Sequence, residues 1–220
     1  NCGGVRQQRT SPFIVYRMNR LGFCVAVGMF GMAAILNAAN VVREARKIIK
    51  DARYEENGDE ARKVNERLNG AEKSLLDALA VEKKNKKRAE LYYMIAQIQS
   101  RRNDIENEKI YLERAYDTVV YYNSIYNCYK YLEKCDSTEC SAEGDGRLRF
   151  RTRVRRMLLD NRQNLLNGGR FYLRKKNYAE AFRFLELYLS SAGYEALKDD
   201  FPDQTDTMYT RVAYWIVPAG

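Results

Sequence analysis

The chain has 220 residues, enough for one domain or a short repeat array, and 30% of them are charged. It contains no histidine, which removes Ser-His-Asp and Cys-His catalysis and every zinc site that needs an imidazole. The net charge is +9, but Arg6, Arg9, Arg17 and Arg20 stand in residues 1–39 without an acidic partner, so the rest is only modestly basic and does not imply nucleic acid.

Residues 1–17 precede Met18, have no starting methionine, and read as upstream sequence rather than part of the fold. Met18-Asn19-Arg20, the apolar run 21–36 and the small residues Asn37-Ala38-Ala39 have the layout of a secretory signal peptide over 18–39. A buried N-terminal helix or an uncleaved anchor is the alternative. The remainder, 40–220, reads as a helical repeat domain. Tyrosine is abundant at 17 and proline scarce at 3, which suits helices packed through rings rather than a turn-rich β-sandwich.

Val42, Ala45, Ile48 and Ile49 predict a first amphipathic helix ending near Arg53. Asn57-Gly58-Asp59 punctuates, and a second helix runs to about Lys83 on a stripe of Val64, Leu68, Ala71, Leu75, Leu76 and Ala78. Gly70 inside it suggests close helix packing. Segment 89–116 predicts a helical hairpin with a turn at Arg102-Asn103-Asp104, where Asn103 or Asp104 caps the second helix. Residues 121–134 predict another helix, 135–146 a polar loop, and 148–160 its partner helix. A last helix is expected at 207–217, its partner lying past the end of the sequence.

The sharpest pattern is 164–189. Gly169, Tyr172, Tyr178, Ala181, Leu185 and Tyr188 keep one helical face on either side of a turn at Lys175-Lys176-Asn177. This spacing resembles the tetratricopeptide repeat (TPR), a helix-turn-helix unit of about 34 residues. Together with the leader, the tyrosine-rich helices and the wording NLLNGG and NYAEAFRFLELYL, it resembles envelope TPR proteins of Bacteroidetes.

The resemblance implies an all-α fold: a TPR-like solenoid of antiparallel helix hairpins in a right-handed superhelical array, behind an N-terminal apolar leader helix. It also implies export to the periplasm or cell envelope. In TPR proteins the first helix of each unit lines a concave groove. Transferred here, that layout places Tyr93, Gln97, Ser100 and Arg101 on the groove from one repeat, and Leu166, Arg170 and Arg174 from another. Arginine beside tyrosine suits an acidic or C-terminal peptide.

Three other patterns carry alternatives. Arg147, Arg149, Arg151, Arg153, Arg155 and Arg156 alternate, yet Phe150, Val154, Met157 and Leu158 make the segment a helix. Its arginines form either a solvated face or a surface for anionic lipid, glycan or acidic peptide. Cys135 and Cys140 could form a disulfide; otherwise they stay reduced, with Cys128 buried on a helix. Carboxylate pairs and Gly168-Gly169 supply no general acid, base or phosphate loop. The expected function is a non-catalytic scaffold for a protein or peptide partner, without metal, cofactor or nucleic acid. Membrane contact is expected only through the leader or a peripheral surface. A glycan- or lipid-binding accessory protein, or the non-catalytic part of a larger protein, is the alternative.

Overall fold

The computed structural model describes residues 38–141 and 149–201. Within them lie α1 (Ala38–Asp51), α2 (Gly58–Val81), α3 (Asn85–Tyr111), α4 (Thr118–Cys140), α5 (Arg151–Arg174) and α6 (Tyr178–Ser190), with a 3-10 turn at Ser191–Gly193 and no strand. The fold is all-α, as expected. Segment 1–17, the expected leader apart from Ala38 and Ala39, Arg147 and the helix expected at 207–217 lie outside the described residues.

The helix boundaries follow from side chains that satisfy the free backbone amides of a first turn. Asn57 accepts from the Asp59 amide at 2.9 Å to start α2. Asp117 accepts from Val119 and Val120 at 2.9 and 3.0 Å to start α4, and Asn177 accepts from Glu180 at 3.3 Å to start α6. Helix α5 has no side-chain cap of its own. Instead both carboxylate oxygens of buried Glu139, on α4, accept from the Phe150 amide at 3.0 and 3.1 Å. Glu106 on α3 likewise accepts from the Asp117 amide at 2.8 Å. Each carboxylate therefore meets the positive end of the next helix and ties consecutive elements together.

Helices α3 and α5 close in the same way. Arg114 N donates to Lys109 O and Glu113 N to Ile110 O; Asn177 N donates to Tyr172 O and Lys176 N to Leu173 O. These are paired 6→1 and 5→2 bonds of a Schellman motif. The left-handed position is Glu113 (φ 55°) in one and Lys176 (φ 56°) in the other. Glycine is the usual occupant, and a side chain there costs roughly 1–2 kcal/mol.

Two expectations are corrected. There is no turn at 102–104: α3 runs unbroken for 27 residues. Asn103 is buried, and its amide donates to Tyr121 O on α4 rather than capping a helix. No glycine or proline interrupts the segment, so nothing forces the backbone to turn. The segments 148–160 and 164–174 are similarly one helix, α5, from Arg151 onward, and 135–140 is its neighbour's last turn rather than loop. The helices are thus longer than those of a repeat of about 34 residues.

Sequential helices pack antiparallel. Tyr92 meets Tyr131 while Asn103 meets Tyr121, and Gly168 meets Phe184 while Arg162 meets Tyr188. Alternate helices run parallel: Arg46 on α1 pairs with Glu90 on α3, whose Gln97 donates to Met157 on α5 at 3.0 Å. One apolar cluster joins α1 to α3 through Leu68, Leu75, Leu91, Ile95 and Ile98. A second joins α4 to α6 through Ile125, Leu132, Val154, Leu158 and Phe184, with Tyr92 and Tyr93 of α3 packed against both. Each such buried side chain contributes about 1.5–3 kcal/mol by leaving water.

Helices α5 and α6 approach closely at Gly169, where an added Cβ would lie 2.5 Å from Leu185 Cδ2. Gly70 departs from expectation: a Cβ there would meet nothing within 4 Å, so it marks no close packing.

Candidate interaction surface

The expected groove residues divide into packed and exposed sets. The Tyr93 ring stacks on Phe150 at 4.8 Å, Gln97 is spent on Met157, and Leu166 is wholly buried. Arg101 donates to Ala52 O at 2.6 Å and pairs with Asp104 and Glu108. Tyr93, Gln97 and Arg101 thereby hold α3 against its neighbours, and Leu166 belongs to the core side of α5. Arg170 and Arg174 are exposed one turn apart near the end of α5. The arrangement does not bring all six to one open face.

The arginine-rich start of α5 is committed inside the molecule. Arg149 pairs with Glu90, Arg151 donates to Glu195 O at 2.9 Å, and Arg155 grips Asp200 with two nitrogens. Arg156 lies 4.0 Å from Asp160, and Arg153 faces Tyr93. Deeper in α5, the Arg162 guanidinium sits between the Tyr188 and Phe201 rings, 4.0 and 4.2 Å from their centroids. Asp136 secures the same C-terminal stretch by accepting from the Ala196 amide at 2.9 Å, and burial pushes its carboxyl above the usual range. Arg151, Arg155 and Arg162 thus clamp the C-terminal stretch onto α5, while Arg149, Arg153 and Arg156 keep exposed side chains.

Of the two alternatives for the cysteines, the structure has the reduced one, with Cys128 buried on α4. Cys128, Cys135 and Cys140 are all free thiols. Cys135 and Cys140 both lie on α4, and five helical residues separate Cα atoms by about 8–9 Å, beyond the roughly 7 Å a bridge can span. Burial pushes the Cys128 thiol up to about 12 and raises that of Cys135 as well. Cys140 is exposed. Of these three, iodoacetamide should therefore modify only Cys140 in the native protein, read by peptide mass mapping. Equal labelling of Cys135 would contradict its burial.

Sequence reasoning missed the surface at the turn end of the helices. Among the described residues, six of the ten exposed large apolar side chains sit on the α3–α4 tip: Ile110, Tyr111, Leu112, Tyr116, Val119 and Val120, with Tyr111 87% exposed. The tip contacts the α1–α2 turn, where Tyr54 N donates to Glu108 at 3.0 Å and Arg114 pairs with Glu56. On its other side, Tyr116, Tyr121, Tyr122 and Phe171 form a chain of ring contacts reaching the α5–α6 turn. Burial pushes the Tyr121 and Tyr122 hydroxyls above their ordinary values, so both stay neutral donors at physiological pH. The signal of the tip in the sequence was the apolar letters on either side of Glu113-Arg114.

A cavity of about 480 Å³ opens between α1 and α2, floored by Val41, Ala45, Ile48, Gly70, Ala71 and Ser74. Among the described residues no group of three or more His, Cys, Asp or Glu is placed to hold a metal ion, and no helix is long and apolar enough to cross a membrane. Comparison with protein-family models, curated proteins and solved structures returns no match.

Proposed function

We propose that this chain is a non-catalytic scaffold that holds a protein or peptide partner. In this view the hairpins stack as a TPR-like solenoid, with α1, α3 and α5 in one layer and α2, α4 and α6 in the other. The leader-like layout of 18–39 supports a place in the cell envelope. The observation that supports the scaffold most is the clustering of exposed apolar side chains on the α3–α4 tip. Scattered exposed leucines are ordinary, but a contiguous apolar patch beside charged residues is the usual mark of an interaction site. The arginine helix supports a glycan or lipid surface less well, because its side chains already have partners within the fold.

A photo-crosslinking residue at Val119 in cells should give one discrete protein adduct. The same residue at exposed Asp77 on α2 should give none. Equal or absent labelling at both positions would count against a partner-binding scaffold.

A further inference from the structure

Among the described residues, the two left-handed non-glycine positions, Glu113 and Lys176, carry opposite charges and stand at the two ends of one aromatic strip. Glycine would hold either position without strain. Each charged side chain is therefore kept against a backbone preference, a situation that concentrates at functional sites. Between them the ring centroids step 6.0 Å from Tyr116 to Tyr121, 5.1 Å to Tyr122 and 5.0 Å to Phe171. Lys175 Nζ lies 6.0 Å from the Phe171 centroid.

At one end stand exposed Tyr111 and Leu112 with Glu113; at the other stand Arg174, Lys175 and Lys176. Among the described residues, no acidic side chain forms an ion pair with these three cations. The strip is apolar and aromatic along its length, negative at one end and uncompensated positive at the other.

We propose that this strip binds an extended peptide segment, its acidic residues at Arg174, Lys175 and Lys176 and its apolar residues at Tyr111, Leu112 and Tyr116. The inference rests on the scaffold function above and names the chemistry of the partner. Ring-to-ring steps of this size make a strip that about five extended residues, at ~3.3 Å each, would cover. Tyrosine rings give broad apolar faces with hydroxyls at the rim, suited to a main chain lying across them. Glu113 repels acidic residues from the tip and so sets the direction of the segment. An anionic bilayer fits less well, since a flat surface lying along the strip would meet exposed Glu113 and Asp117 as well as the cations.

The test is selection of a random heptapeptide phage library on the full chain. Selected peptides should carry Asp or Glu in one half and Leu, Phe or Tyr in the other. Their affinity should fall about tenfold or more when Arg174, Lys175 and Lys176 are all changed to Glu, and should also fall in the Tyr111→Ser, Leu112→Ser variant. Lys176→Gly discriminates function from fold: it should weaken binding while raising the melting temperature, a combination that a purely structural lysine would not give. Peptides without acidic bias, or binding unchanged by the charge reversal, would overturn this placement and leave the scaffold standing. Failure to select any peptide would remove both. Cosedimentation with phosphatidylcholine–phosphatidylglycerol vesicles through the same cations, with no peptide selected, would assign the surface to lipid and overturn the proposal.

Discussion

Replacing Phe184 with alanine is expected to lower stability by about 3–5 kcal/mol. The ring is wholly buried where α4, α5 and α6 converge. Its centroid lies 5.2 Å from Tyr126, 5.4 Å from Tyr172 and 6.3 Å edge-on from Tyr122. Its edge fills the space left by the missing side chain of Gly168. Truncation would remove all of these contacts at once and leave a cavity that α5 cannot close, because Gly169 already holds α5 against Leu185. For a domain with about 5–15 kcal/mol of total stability, that is about a fifth or more. Thermal melting should shift down by roughly 6–20 °C. Phe182, two residues away and partly exposed, should lose about 1 kcal/mol or less as alanine. Equal melting of the two variants would mean that the α5–α6 packing is wrong.

How much of the fold was legible follows from where the signals were local. Asn57, Asp117 and Asn177 are short polar side chains before apolar runs, and each caps a helix. The turn at Lys175-Lys176-Asn177 falls where the spacing around it predicts. The false turn at 102–104 shows the limit. Asn103 has a capping side chain, but its amide is drawn to Tyr121 O across the α3–α4 interface. A cap residue in sequence is ambiguous until the tertiary partner is known. The start of α5 fails for the converse reason: its cap is Glu139, eleven residues upstream and on another helix. No pattern confined to 148–154 could contain it.

The surface was less legible than the core. A repeat template assigns roles by position, and it put Tyr93, Gln97 and Leu166 on an open face. In the fold, Tyr93 and Gln97 reach across to Phe150 and Met157, because α3 and α5 lie side by side and parallel. The arginines of α5 drew attention by their number, yet number says nothing about pairing; Asp200 and the Glu195 carbonyl are 45 and 44 residues away from the arginines that hold them. The tip residues were visible as apolar letters only. Their exposure arises because α3 continues past Ile105, its last buried apolar residue, and carries Ile110, Tyr111 and Leu112 beyond the core.

Two glycine variants, one single and one double, should move stability in opposite directions. Gly70→Ala should stabilise by up to about 1 kcal/mol, the ordinary helix-interior difference between the two residues. Gly70 is exposed within α2, and the new methyl would meet nothing within 4 Å. The Gly168→Ala, Gly169→Ala pair gains the same backbone preference but forces side chains apart. The two Cβ atoms would lie 2.6 Å from the Phe184 ring and 2.5 Å from Leu185 Cδ2. Both neighbours are buried and have little room to give. Overpacking of this kind costs about 1–3 kcal/mol per site against up to about 1 kcal/mol gained per site, so the pair should lose up to about 4 kcal/mol overall. Urea denaturation of the two variants beside the parent measures both signs. The sequence alone ranks Gly70 and Gly169 alike, as glycines within a helical stripe; only the distance between helix axes separates them. If both variants were stabilised, α5 and α6 would have to lie farther apart than Tyr172, Phe184 and Leu185 now hold them.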